Sequence, residues 1–216
     1  MVAGQPPPLS HDGVHEARRR LTDRVVDTPV VRSEELEQLA GARLWLKAEN
    51  LQRGGSFKMR GVLLAVERLV AAGSPGVVTQ STGNHAPAVA PAAAQYGLPA
   101  VVVLPTDAAP AKVARIRAAG AEVLQAGTTL AERVTVVDEL TRTRGLDEID
   151  PYQNPDVVVG QGTTTADLLH QVDIVGGHLD AVVLPVGAAA RWPVPAWPPQ
   201  AGASTSTAPS PAPSPL

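Results

Sequence analysis

Apolar residues recur along this chain in two spacings, one of about 3.6 and one that is short and nearly continuous. Over 15–40 the spacing predicts a helix, broken at Thr28-Pro29 because a proline ring disfavours helix in the residue before it. The helix resumes at Ser33, a good N-cap, and Glu34, Glu35 and Glu37 suit the positive end of the second segment. Residues 43–49 alternate, with Leu44, Leu46 and Ala48 against Trp45, Lys47 and Glu49, which predicts a short strand. Gly54-Gly55 turns the chain. Residues 57–72 return to a helical pattern, with Val62, Leu63, Val66, Leu69 and Val70 on one side and Gly73 as a stop. One theme then repeats: short apolar strands at 76–80, 100–104 and 122–125 alternate with helical segments at 86–96, 111–119 and 130–142. A further helix is expected at 163–172 and a further strand at 181–186. Such alternation predicts an α/β fold with a parallel sheet and crossover helices.

Composition narrows the partners. A formal net charge of -3 gives no basic field, so nucleic acid and anionic membranes are not expected, and small molecules or other subunits remain. With no cysteine there is no disulfide framework, thiolate metal site or cysteine nucleophile. The first ten residues lack a basic segment followed by an apolar one, and no apolar run reaches the roughly 18 residues of a membrane helix, so a cytoplasmic location is expected. Residues 191–216 differ in character: they hold eight of the 21 prolines and no acidic residue, and no packed element fits them.

Only three of the 18 basic residues are lysines, so each carries weight. Lys58 follows a strand, a glycine turn and a hydroxyl, in Gly54-Gly55-Ser56-Phe57-Lys58-Met59-Arg60-Gly61. A partly buried turn beside a helix start disfavours the ammonium form, through desolvation and the positive end of the dipole, and so suits a Schiff-base lysine. A solvated lysine at a helix end is the plainer alternative. Gln80-Ser81-Thr82-Gly83-Asn84-His85 lies between a buried strand and a helix, where backbone N–H groups and hydroxyls form an anion site suited to a carboxylate. Ordinary capping by Ser81 or Thr82 is its alternative. His85 is a candidate acid or base, although a lone histidine is more often a satisfied polar group.

Together these two segments resemble the fold type II pyridoxal-phosphate enzymes, of tryptophan synthase β-like fold, in the branch of the threonine dehydratases and serine racemases. Further matches follow in order at Leu104-Pro105, Ala109-Pro110-Ala111-Lys112, Gly120-Ala121-Glu122-Val123, the segment from Pro151 to Thr163 and Leu179 to Gly187. The resemblance implies that Lys58 carries pyridoxal 5'-phosphate and removes the substrate's Cα proton. It implies that Phe57 and Asn84 contact the cofactor, that Gly187 opens its phosphate loop, and that Ser81, Thr82, Gly83, Asn84 and His85 grip the substrate carboxylate. The implied reaction eliminates hydroxide from threonine or serine, giving a 2-oxo acid and ammonia. Thr82 keeps a hydroxyl where the racemases hold a catalytic serine, so racemisation stays open. A homo-oligomer is possible, and no metal ligands are expected among the residues present. Two open parallel-sheet domains are implied, a smaller one at 53–146 with the asparagine loop and a larger one at 1–52 with 147–187.

The pattern breaks after Gly187. Where the family continues with glycines, this chain reads Ala188-Ala189-Ala190, and a Cβ resists the backbone angles of a phosphate nest. A GGC run read one base later becomes GCG, an alanine codon, so 188–216 is expected to be a disordered, frameshifted tail. The larger domain is then incomplete, with exposed apolar edges, and an inactive fragment is the alternative reading. Pro87 falls early enough in its helix to be tolerated, whereas Pro91 interrupts the same helix without explanation.

Overall fold

The computed structural model describes residues 9–185. The chain begins with helix α1 (His11–Leu21), started by the Ser10 hydroxyl, which accepts from Gly13 N at 3.2 Å. This is four residues earlier than its apolar spacing alone suggests. Val14, Ala17 and Leu21 form its buried stripe. The helix stops well short of Pro29, where Asp23 turns the chain at φ 65. Strands β1 (Val30–Val31) and β2 (Leu46–Lys47) pair antiparallel around α2 (Glu34–Ala40), which is capped by Ser33 as expected and ended by Gly41 at φ 61. The strand expected over 43–49 is reduced to β2, because the chain leaves it through two 3-10 turns, Glu49–Leu51 and Arg53–Gly55.

The rest is the expected alternation: α3 (Lys58–Ala71), β3 (Val77–Gln80), α4 (His85–Ala94), β4 (Ala100–Leu104), α5 (Pro110–Ala118), β5 (Glu122–Gln125) and α6 (Leu130–Arg144). Then come β6 (Asp147–Glu148) and α7 (Pro155–Ile174). The four strands form one parallel sheet in the order β5-β4-β3-β6, with Val77 opposite both Ala100 and Asp147. Successive residues point to opposite faces, as the strand period of two requires. Val77, Ala100, Val102, Leu104 and Val123 pack with α3, α4 and α5, while Val78, Val101 and Val103 pack with Val137 and Leu140 of α6. The sheet is therefore sandwiched between helices.

Three differences from the sequence expectations bear on the site. β6, placed beyond the smaller unit, is the fourth strand of this sheet, and one core runs unbroken from α1 through α3 and the sheet to Val157 and Val159 of α7. α7 starts at Pro155 rather than at 163, with Asn154 Oδ1 accepting from Asp156 N at 3.0 Å and Val157 N at 3.2 Å. Its glycines and β-branched residues have low helix propensity, but tertiary contact overrides it. A Cβ on Gly160 would lie 2.4 Å from Gly61 Cα, so the two glycines let α7 and α3 cross backbone to backbone. Finally, 181–185 is not a strand: Val183 is 95% exposed, and no neighbouring strand pairs with it among the described residues. Val186, Gly187 and the expected tail at 188–216 lie outside the described residues.

Candidate active site

Gly54 and Gly55 both adopt positive φ, 77 and 78, a conformation that costs a side-chain-bearing residue dearly. The turn they make seats Gly54 against α4: a Cβ there would stand 3.6 Å from the Pro87 carbonyl oxygen. That carbonyl is the one Pro91 deprives of its helical donor, since proline has no N–H. α4 nevertheless continues to Ala94, nearly all of it buried. The glycine turn thus fixes the lysine segment directly on the helix that follows the asparagine loop.

Lys58 is the first residue of α3. Its Nζ donates to the Pro151 carbonyl at 3.4 Å and lies 5.4 Å from the centre of the Phe57 ring. Burial lowers its pKa below the ordinary lysine value, and the nearby Asp150 carboxylate opposes this only in part. The amine is half-buried with one long hydrogen bond, so it is not a fully solvated helix-end lysine.

The loop 81–84 leaves β3 and enters α4. The Ser81 hydroxyl accepts from Gly83 N at 3.0 Å, and Lys112, in the first turn of α5, donates to the Thr82 carbonyl. Neither Ser81 nor Thr82 caps α4; the capping position belongs to Asn84, whose side chain makes no capping bond. Thr82, Gly83 and Asn84 are exposed, while Ser81 and His85 are buried. His85 Nε2 lies 3.1 Å from the Ile149 carbonyl oxygen, and burial, reinforced by the Lys58 charge, pushes its pKa down to about 3. The ring is thus neutral and lies in the core beneath the loop, engaged with a backbone carbonyl, rather than beside the exposed Thr82, Gly83 and Asn84.

The structure thus brings Lys58 and His85 onto one segment that sequence reasoning gave no role, Ile149-Asp150-Pro151, with the Phe57 ring beside the Lys58 amine. Sequence reasoning also missed the purpose of the signature's last two residues. Arg60 is buried, donating to Glu49 Oε1 and Oε2 at 2.8 and 2.9 Å, to Asp167 Oδ2 at 2.6 Å and to Thr163 Oγ1 at 3.2 Å. Arg18 completes the network from α1, at 2.5 Å from Asp167. Burial opposes the charge of Arg60, but the carboxylates outweigh it and raise its pKa. Gly61 makes the α7 crossing already described. The signal for both lay within the quoted signature, beside the more conspicuous lysine.

Two buried side-chain atoms near Lys58 have no hydrogen-bond partner, Ser56 Oγ and His85 Nδ1. Unpartnered polar atoms on both segments, one in the turn before Lys58 and one on a ring that feels the Lys58 charge, fit a polar, lysine-bound group. Comparison with known proteins gives the same direction. The sequence profile described as pyridoxal-phosphate dependent enzyme matches residues 21–191. Over 82% of this chain and 54% of the relative, the L-threo-3-hydroxyaspartate ammonia-lyase of Saccharomyces cerevisiae is 38% identical. The serine racemase of Arabidopsis thaliana is 37% identical over 80% of this chain and 51% of its own length. Among solved structures, a threonine deaminase from T.th. superposes with a TM-score of 0.75 at 41% identity, covering 82% of this chain and 56% of that one. The chain spans about half the length of the curated relatives it matches. Sequence profile, relatives and superposed fold agree: the chain belongs to the family of pyridoxal-phosphate dependent enzymes.

Proposed function

We propose that this chain bears the catalytic lysine of an ammonia-lyase that converts a β-hydroxy amino acid, threonine or serine, to a 2-oxo acid and ammonia. The observation that carries the reading is the half-buried Lys58 amine, with lowered pKa, at a glycine turn seated on the helix that follows the asparagine loop. Lys58, Phe57, Asn84 and Gly187 are the residues that would hold the cofactor. When bound, pyridoxal phosphate supplies the electron sink that makes the substrate's Cα–H bond breakable and lets the β-hydroxyl leave. Desolvation keeps a larger neutral fraction of the Lys58 amine than an exposed lysine has, which suits it to take the Cα proton. The carboxylate would meet backbone N–H groups and the positive dipole end at the start of α4, with Ser81, Thr82, Gly83 and Asn84 around it.

A second reading has its own observation: Ala188-Ala189-Ala190, where glycines are expected, favours a chain that keeps the lysine site without turnover. Thr82 leaves racemisation as a further outcome of the assay. The test is to mix the full chain with pyridoxal phosphate, reduce with borohydride and map the modified peptide by mass spectrometry. The adduct is expected on the peptide containing Lys58 and absent from Lys58→Ala. Adduct only on Lys47 or Lys112 in a folded sample refutes the reading. Release of 2-oxo acid from threonine, serine and 3-hydroxyaspartate then separates turnover from binding alone.

A further inference from the structure

Ile149 is a joint held from several sides. Its amide donates to the Val78 carbonyl at 2.9 Å, and its carbonyl accepts from Thr79 Oγ1 at 2.9 Å and from His85 Nε2 at 3.1 Å. Ile149, Thr79 and His85 are all essentially inaccessible to solvent. A carbonyl only accepts, so Nε2 carries the imidazole proton and Nδ1 is a bare, buried lone pair. On the other side of the joint, Asp150 Oδ1 accepts from Tyr152 N at 2.7 Å and Gln153 N at 2.6 Å, closing a turn. Between these two fixed points lies Pro151, whose carbonyl receives the Lys58 amine.

We propose that His85 is a positioning residue: through Ile149 its ring fixes the 149–151 segment against which Lys58 is held. His85 directly follows the loop 81–84, so the same ring ties the expected carboxylate site to the lysine. The inference rests on the reading of Lys58 as the cofactor lysine, but its test does not need the cofactor. Thr79 makes a second, independent bond to the same carbonyl, so its removal leaves the joint weakened rather than undone. The charged neighbours that bear on the result are few: Asp150 acts on Lys58, and Lys58 acts on His85.

With only three lysines in the chain, lysine Cε and Nζ resonances of the isotopically labelled full-length protein can be followed individually through a pH titration. His85→Phe keeps a ring of similar size but removes the donor, and His85→Gln restores an N–H near the Nε2 position. In His85→Phe the Lys58 titration is expected to move up toward that of an ordinary lysine, as the released amine gains water. His85→Gln is expected to retain the wild-type midpoint, with Lys47 and Lys112 unmoved in both. A His85→Phe protein whose Lys47 and Lys112 signals are native but whose Lys58 titrates as in wild type overturns the proposal. So does a His85→Gln protein displaced as far as His85→Phe. If His85→Phe does not fold, His85→Asn decides, because its shorter amide withdraws the donor from the Ile149 carbonyl without adding an apolar ring: an upward move of Lys58 supports the joint, and an unmoved midpoint refutes it. Failure of cofactor attachment in the earlier experiment would leave this result intact, so the two readings fail separately.

Discussion

Lys58 and Arg60 stand two residues apart on one helix, and the fold treats their charges in opposite ways. Arg60 is heavily paired: two carboxylates and a hydroxyl take four of its five N–H donors, and its pKa is raised in spite of burial. Lys58 has a single long bond to a carbonyl, and burial lowers its pKa. A buried cation so well paired serves architecture, because it joins α1, α3, α7 and the Glu49 turn into one unit. One that is desolvated but poorly paired gives up its proton more readily, as the role proposed for Lys58 requires. The contrast also follows from chemistry: a guanidinium presents a rigid fork that matches carboxylates and stays charged, whereas an ammonium gives up its proton when buried.

The sharpest way to break this comparison is to remove the paired cation. Arg60→Ala leaves Glu49 and Asp167 as buried carboxylates without their main counter-charge, and a loss of about 3–5 kcal/mol of stability is expected. Chemical denaturation of the variant against wild type measures it. Arg60→Lys keeps the charge but cannot bridge Glu49 bidentately while also reaching Asp167, so it is expected to recover only part of the loss.

A smaller effect is expected one residue on. A Cβ at Gly61 would lie 2.3 Å from the Val157 carbonyl oxygen, and backbone cannot step aside as a flexible side chain can. Gly61→Ala is expected to cost about 1–3 kcal/mol by overpacking, even though alanine is the better helix former. A thermal melt showing the variant as stable as wild type would mean that α3 and α7 do not cross this closely.

These residues also show what the sequence could and could not disclose. The parallel sheet was legible because β4 is apolar throughout, β3 opens on two valines, and both are bounded by turn signals. The asparagine segment was legible because it sits at a strand-to-helix junction, and the lysine segment because a glycine pair and a hydroxyl precede a helix start. The start of α7 was not, since Gly160 reads as a helix breaker until Gly61 is seen against it. Nor was β6, whose Asp147 and Glu148 carry no apolar signal and enter the sheet only by pairing with β3. The 149–151 segment was illegible for a related reason: it acts through backbone carbonyls, and carbonyls leave no trace in residue type.

The smallest expected effect sharpens the other half of the comparison. Because Lys58 is desolvated and held by one carbonyl, Lys58→Met should change stability near neutral pH by no more than about 1 kcal/mol, far less than Arg60→Ala. Its pH dependence has a definite sign. The folded-state pKa of Lys58 lies below the unfolded value, so between the two the unfolded chain binds more protons and stability rises with pH. The wild type is therefore expected to gain on Lys58→Met as pH climbs through that interval toward the ordinary lysine value. Lys47 is shifted the same way by burial and contributes equally to both proteins, so the difference between them isolates Lys58. Denaturation midpoints that stay parallel across the alkaline range would show that the Lys58 amine keeps its proton like any surface lysine, and would remove the distinction from Arg60 on which the proposed role of Lys58 depends.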